Sequence, residues 1–248
     1  MKKDTVERIK VIVESCVDNV IQRANKKLES KPFHEALLTK KLILASAIER
    51  SFSSSFGQTT IEEVSKIISD ERGGQVERLK HTWVNVTQSA IDEIERIMTS
   101  LRSGGAKPNW KQEIDRVAAC SGGVTVPRRI ISDLWINRDQ TQHFISLKTV
   151  KPNLGQCIEA KQDMLYIKAY NRDYQTYICL YYNPFGSTRK EYKWSFFNKV
   201  FDVARDDCVL IGKDYWDFIG GKGTYVQLIG VFNEIGNKTR NKLESIGH

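Results

Sequence analysis

Asp133 and Lys148 are the residues whose types and surroundings point most directly to chemistry. Asp133 interrupts the apolar, β-branched run 129–136, where a carboxylate is costly unless it is solvated, paired or bound to a metal. Lys148 interrupts a second run of this kind, 143–150, after a polar turn at 137–140. Hydrolysis of a phosphodiester requires an activated water, a divalent cation that lowers the pKa of that water, and positive charge for the transition state. A carboxylate and a lysine on facing strands make a minimal site for this reaction.

The second strand places other groups beside Lys148. Ser146 lies two residues before it and therefore shares its face of the strand. Leu147 points its side chain to the opposite face, which leaves its carbonyl oxygen as a candidate metal ligand. A simpler interpretation is that Asp133 and Lys148 form a cross-strand ion pair on the solvated face of a hairpin. The two residue types alone do not separate these interpretations.

Amphipathic helices are predicted for most of the first half of the chain. Apolar residues recur at three- and four-residue intervals, and in one segment acidic residues follow a Thr-Thr pair. The predicted helices cover residues 6–21, 37–52, a stretch that begins at 59–63, and 75–101. A loop at 103–109 follows them. We therefore expect a mostly helical N-terminal region over residues 1–125.

The pattern changes after Val126-Pro127, where β-branched and aromatic residues become frequent. Besides the hairpin, short strands are predicted at 175–182 and 208–211. Helical periodicity predicts helices at 153–170, 194–204 and 224–234. The predicted fold class is therefore α/β, with the mostly helical N-terminal part attached to a small sheet in residues 126–248.

Composition favours a polyanionic partner. The 248 residues carry a formal net charge of +8 and a pI near 9.2, and a basic protein releases counterions when it binds phosphates. The five cysteines form no CxxC pair and the four histidines are dispersed, which argues against structural zinc and for reduced thiols. No signal peptide or membrane span is recognisable, so a cytoplasmic location is expected. No Walker loop, strand-linked GxGxxG or Ser–His–Asp set supports a small-molecule enzyme.

Ser132-Asp133, followed about twelve residues later by Ser146-Leu147-Lys148, resembles the PD-(D/E)xK signature of restriction endonucleases. The sequence departs from that signature at two positions. Ser132 stands where the signature has proline, and Ser146 stands where it has a metal-binding acid. The second departure matters more, because another residue must then supply a carboxylate to the metal.

Two regions could supply the missing acid. Some branches of the superfamily have serine at this position and use a glutamate from the following helix, which makes Glu159 a candidate, with Asp163 on the same helical face as the alternative. Residues 33–38 and 49–58 resemble the N-terminal helical segment of restriction enzymes that cut GGNCC-type sites. In the superfamily a glutamate from such a helix often faces the active site, and Glu49 is the candidate here.

Two further segments, 148–161 and 215–225, resemble the same branch. The first would place Lys151 beside the scissile phosphate, and the second would hold a backbone phosphate with Lys222 and the exposed amides of a helix start. An ordinary strand-to-helix link and a plain glycine turn are the alternatives. The residues expected to contact DNA are Lys151, Asn153, Gln156, Lys161 and Lys222. Base-reading residues are expected in the loops at 183–193 and near Gly221.

The resemblance implies a type II endonuclease with a restriction-endonuclease-like core, a small mixed sheet flanked by helices, that hydrolyses double-stranded DNA at a short site. Mg²⁺ would be held by Asp133, the Leu147 carbonyl and Glu49 or Glu159, while Lys148 would orient or deprotonate the attacking water. A palindromic site calls for a homodimer. A cognate DNA methyltransferase would act on the same site without needing to bind the enzyme. Two alternatives stay open: a non-catalytic DNA-binding protein, and a repair or junction-resolving nuclease with the same core.

Overall fold

The computed structural model describes residues 1–24 and 31–244. These residues form a five-stranded mixed sheet at the centre of the fold. The strands follow one another across the sheet in chain order. The first two pairings, β1–β2 and β2–β3, are antiparallel, and the last two, β3–β4 and β4–β5, are parallel. The strands are β1 Gln75–Thr87, β2 Thr125–Arg138, β3 Thr141–Lys148, β4 Gln175–Leu180 and β5 Val209–Ile211. The α/β fold class is confirmed.

Helices cover both faces of this sheet. They are α1 Lys3–Ala24, α2 Pro32–Leu37, α3 Lys40–Ser55, α4 Ile61–Glu71, α5 Gln88–Ser103, α6 Trp110–Ala118, α7 Leu154–Tyr170, α8 Ser195–Asn198, α9 Lys213–Gly220 and α10 Thr224–Glu244. A π-helical turn, Phe56–Thr60, joins α3 to α4, and a 3-10 turn, Arg189–Glu191, precedes α8. Within the described ranges, no helix is long and apolar enough to cross a membrane.

The helix predicted over 75–101 is wrong in its first half. Gln75–Thr87 is the edge strand β1, which pairs with β2 along most of its length. Val84 and Val86 are buried while the residues between and beside them are exposed or half-exposed, which is the two-residue period of a strand. The helix begins only at Gln88, where the Thr87 side chain accepts a hydrogen bond from the Ala90 amide. The helix predicted at 194–204 is also too long, because α8 ends at Asn198.

The division of the chain at residue 125 stays a prediction. β1 comes from the N-terminal region and β2 from the C-terminal region, yet the two strands pair in one sheet. The central hairpin agrees with the sequence pattern. β2 and β3 are joined at Asp139-Gln140, whose φ angles of 50° and 60° are both positive, as a tight type I′ hairpin turn requires.

Strand alternation sends neighbouring residues into two separate cores. Trp135 and Phe144 belong to a cluster with α5, α6, α7 and α8, whereas Leu134 and Ile145 belong to a cluster with α1, α4, α9 and α10. Lys148 therefore shares the α7 face with Phe144. At Asp133 the alternation of β2 is interrupted, because Ile130 and Trp135 belong to the same cluster and Asp133 is missing from the β1–β2 pairing. The helices α4 and α7 lie on opposite faces, so each can present side chains to the strand end at Lys148.

Candidate active site

Asp133 and Lys148 meet, as the sequence predicts. The Lys148 Nζ lies 3.6 Å from Asp133 Oδ2, and each side chain keeps about a fifth of its surface exposed, 21% and 20%. The Leu147 amide donates a hydrogen bond of 2.6 Å to the same carboxylate oxygen. The pair is thus held at one end by the backbone of β3 and remains open to solvent at the other.

Glu62 approaches the pair from the first turn of α4. Its Oε2 accepts a 2.9 Å hydrogen bond from Arg78, which lies on β1 opposite Leu134, the residue after Asp133. Burial raises the pKa of Glu62 above its usual value. Arg78 opposes that rise, the Asp133 carboxylate adds to it, and Lys148 opposes it. Glu62 is therefore in electrostatic contact with both members of the hairpin pair.

Asp163 approaches from α7 on the opposite face of the sheet. Burial is the main cause that raises its pKa to about 7; the carboxylates of Glu159 and Asp133 contribute to the rise, and Lys148 opposes it. A carboxyl group with this pKa is part protonated at neutral pH because burial disfavours its charged form and neighbouring carboxylates add to the effect. Crowded, under-compensated carboxylates beside a lysine are a common property of catalytic and cation-binding sites.

The acids proposed from the sequence take different positions. Glu159 is exposed, one turn before the half-buried Asp163 on α7. Glu49 is exposed on α3, where it accepts a 2.7 Å hydrogen bond from Ser53, and no described hydrogen bond or ion pair links it to the hairpin. Ser146 is half-buried on β3, two residues before Lys148. Glu62 and Asp163 each interact electrostatically with Asp133 and Lys148, and Glu159 acts on Asp163 from one turn away.

Sequence reasoning missed Glu62 although a signal was present. Glu62 and Glu63 follow a Thr-Thr pair and were explained by their place in the first turn of a helix, where acids stabilise the helix dipole. Arg78 donates hydrogen bonds to both glutamates, and Glu62 also interacts electrostatically with Asp133 and Lys148. Only the packing of α4 against β1 distinguishes a helix-start acid from a site acid.

The residues expected to bind DNA differ in whether their side chains are free to reach a ligand. Lys151 and Lys222 are exposed, and Lys151 lies 5.4 Å and 5.7 Å from the ring centres of Phe185 and Trp194. Asn153 and Gln156 are exposed but bind one another's backbone amides in a capping box that starts α7. Their side chains therefore have a structural role already.

Lys161 contradicts its prediction. Its side chain is fully buried, and its Nζ lies 2.5 Å from the buried Glu113 carboxylate and over the ring of Phe201. It faces the core because α7 is packed on that side, so the prediction that it binds DNA is wrong. Arg189, in the loop 183–193, also has a structural role. Its guanidinium donates hydrogen bonds to the carbonyl oxygens of Ala204, Asp206 and Val209.

The donor set fits a hard divalent cation in its chemistry. Carboxylate oxygens are the protein ligands that Mg²⁺ prefers, and Asp133, Glu62 and Asp163 provide them around one lysine. The pKa of Asp163 is raised mainly by burial, with contributions from the carboxylates of Glu159 and Asp133, and a bound cation would favour its ionised form. The described part of the chain contains no group of three acids, histidines or cysteines already close enough to hold a metal ion. The carboxylates would therefore have to move closer together on binding.

Comparison with known proteins gives one family. A family model described as "Type II restriction endonuclease, HinfI" matches residues 1–236. The type II restriction enzyme HgiEI of Herpetosiphon aurantiacus is 27% identical, over 89% of this chain and 82% of its own length. HgiCII of the same organism is 25% identical over the same shares, and MjaII of Methanocaldococcus jannaschii is 24% identical over 95% of this chain and 71% of its own. No solved structure matches the chain.

Proposed function

The chain belongs to the HinfI family of type II restriction endonucleases, and from this premise we propose that it cuts double-stranded DNA with Mg²⁺ at the site built around Asp133 and Lys148. Family membership makes it a sequence-specific restriction endonuclease. The observation that carries the site assignment is the partly exposed pair at 3.6 Å, which interacts electrostatically with the acids Glu62 and Asp163.

Asp133, Glu62 and Asp163 are the residues that would hold the cation, and the Leu147 carbonyl stays a candidate ligand from the sequence. When bound, the cation lowers the pKa of a water and offsets charge on the phosphate. Lys148 orients that water through its ammonium group and stabilises the negative charge that develops on the phosphate oxygens. Asp133 orients Lys148 in turn, and the Leu147 amide holds the Asp133 carboxylate in place.

The finer features of the function rest on the resemblance and on symmetry. We propose a GGNCC-type recognition site and a homodimer that presents one active site to each DNA strand. We also propose a methyltransferase that modifies the same site, and a cytoplasmic location. Lys151 and Lys222 are the two predicted DNA contacts whose side chains remain exposed and outside helix caps. They fit phosphate contacts, because cations on the surface position DNA through its backbone.

Purified protein, incubated with unmethylated plasmid and Mg²⁺, is expected to give discrete bands, and EDTA is expected to abolish them. Sequencing of the cut ends then identifies the site and tests the GGNCC assignment directly. The Asp133→Asn variant is the matched control, because it keeps the side-chain shape and removes the charge. A smear of products would indicate a non-specific nuclease, and binding without cleavage in any divalent metal would indicate a DNA-binding protein only.

A further inference from the structure

The helices α2 and α3 differ from the other long elements because none of their residues is buried. Their apolar residues are nevertheless numerous, and three of them are strongly exposed: Phe33 at 83%, Leu37 at 83% and Leu42 at 56%. The next long helix, α4, buries Ile61, Val64, Ile67 and Ile68 in the usual way. Apolar surface exposed on two consecutive helices and rimmed by charge is typical of a protein–protein contact.

One stripe of α3 is complementary to itself. The α3 stripe consists of Lys41, Leu42, Ala45, Ile48 and Glu49, which lie within about 60° of Ala45 around the helix at about 100° per residue. In an antiparallel helix pair with a two-fold axis through Ala45, a residue before Ala45 faces the residue equally far after it. Lys41 then faces Glu49 of the other copy and Leu42 faces Ile48, each twice.

The remaining charges of α3 do not disturb this arrangement. Lys40 and Arg50 lie about 140° away from Ala45, on the other side of the helix. Lys41, Leu42, Ala45 and Glu49 are exposed and Ile48 is half-buried. In the described residues no ion pair involves Lys41 or Glu49, so both are available to a partner. Ala45 is small, which allows the two helix axes to approach to about 8 Å.

We propose that a second copy of this chain docks on the α3 stripe in an antiparallel, two-fold arrangement. The inference rests on the homodimer of the proposed function and names its surface. A two-fold contact closes on itself and yields a dimer rather than a filament, as a palindromic site requires. DNA is not the occupant, because the stripe is mainly apolar and contains the acid Glu49. Phe33 and Leu37, beyond the N-terminal end of α3, extend the contact at both ends.

Charge reversal tests the arrangement. Lys41→Glu or Glu49→Lys converts both attractive pairs into repulsive ones, and each variant is expected to weaken the dimer at least about tenfold. The double variant Lys41→Glu/Glu49→Lys reverses both partners and is expected to restore it. Ala45→Arg puts two cations at the axis and is expected to give a monomer. Lys40→Glu is the matched control, because it makes the same charge change on the other side of the helix.

Sedimentation equilibrium across a concentration series measures these dissociation constants, and circular dichroism melting verifies that each variant is folded. Any of three results would overturn the inference. The Ala45→Arg variant could dimerise as tightly as the wild type, the double variant could fail to restore the dimer lost in the single reversals, or the wild-type chain could be monomeric at every concentration. Plasmid cleavage by the wild-type protein is measured on the same samples. If the wild-type protein cleaves DNA but the substitutions leave its dimer dissociation constant unchanged, the proposed surface is wrong and the proposed function stands. If the substitutions weaken the dimer as expected but the wild-type protein shows no Mg²⁺-dependent cleavage, the proposed function is wrong and the surface stands.

Discussion

Two lysine–carboxylate pairs in this protein share their residue types and differ in nearly everything else. Lys161 and Glu113 lie 2.5 Å apart with side chains 0% and 5% exposed, over the rings of Trp110 and Phe201. Lys148 and Asp133 lie 3.6 Å apart, are about a fifth exposed, and interact electrostatically with two further acids, Glu62 and Asp163. The first pair is closed, with each charge compensated by the other. The second has spare negative charge and access to water, which a reaction with a phosphodiester needs.

The largest expected effect separates the pairs by activity. Lys148→Met is expected to lower the cleavage rate about a hundredfold to a thousandfold or more, because it removes the cation beside the water and the phosphate. Its melting temperature is expected to change little, since the side chain is part exposed and only loosely paired. Single-turnover cleavage and thermal melting of the same preparation measure both quantities. A variant that retains ordinary cleavage would make this pair structural as well.

Lys161→Met is expected to show the opposite pattern. It leaves the Glu113 carboxylate buried without a partner, which costs about 3–5 kcal/mol of unfolding free energy. Cleavage per folded molecule is expected to stay near the wild-type rate. The double variant Lys161→Met/Glu113→Leu is expected to recover much of the loss, because it removes both charges. Urea unfolding of the three proteins is the measurement, and an undiminished stability in Lys161→Met would contradict a closed pair.

The acids of α7 give an intermediate effect. Asp163→Asn is expected to reduce Mg²⁺-dependent cleavage about tenfold to a hundredfold, whereas Glu159→Gln, one turn away and exposed, is expected to have a smaller effect. This order reverses the one that the sequence favoured. The two variants are matched controls, since each neutralises one carboxylate on the same helix. A larger loss in Glu159→Gln would restore Glu159 as the acid that replaces the one missing at Ser146.

The smallest effect is a pH dependence of stability without metal. Because the folded-state pKa of Asp163 is raised to about 7, the folded protein binds a proton more tightly than the unfolded chain does. Wild-type stability should therefore fall as the pH rises from about 4 to about 7, and Asp163→Asn should escape that fall. The variant is expected to be more stable by about 1–2 kcal/mol at pH 8 and by nothing near pH 4, with partial exposure of the group reducing the gain.

Urea midpoints across this pH range, with EDTA present, measure the difference between the two proteins. A gain that is equally large at pH 4 and pH 8 would mean that Asp163 does not titrate as the structure indicates. Adding Mg²⁺ should stabilise the wild-type protein more at pH 8 than at pH 5, since cation binding requires ionised carboxylates.

Local patterns in the sequence were enough where neighbours in the chain decide the structure. The hairpin is an example, because its strands are adjacent and its turn residues are joined directly to them. The strand at 75–87 was not recognised, because the residues of β2 that pair with it lie 38 to 62 positions further along the chain and its own alternation merges into the helical stripe of α5. Where a strand runs directly into a helix, the two-residue period of the strand is hard to distinguish from the helical period unless the pairing partner of the strand is known.

By itself, the sequence determined the α/β class, the juxtaposition of Asp133 with Lys148 and the family resemblance, because each depends on residue types at short spacing. Only the tertiary structure showed which acids interact electrostatically with that pair. Glu62 on α4 and Asp163 on α7 do so from helices that pack on opposite faces of one sheet, while Glu49 lies on an exposed helix. It also decided that Lys161 is buried and not at the DNA. A helix shows its spacing in the sequence, but the direction of each face depends on what the helix packs against.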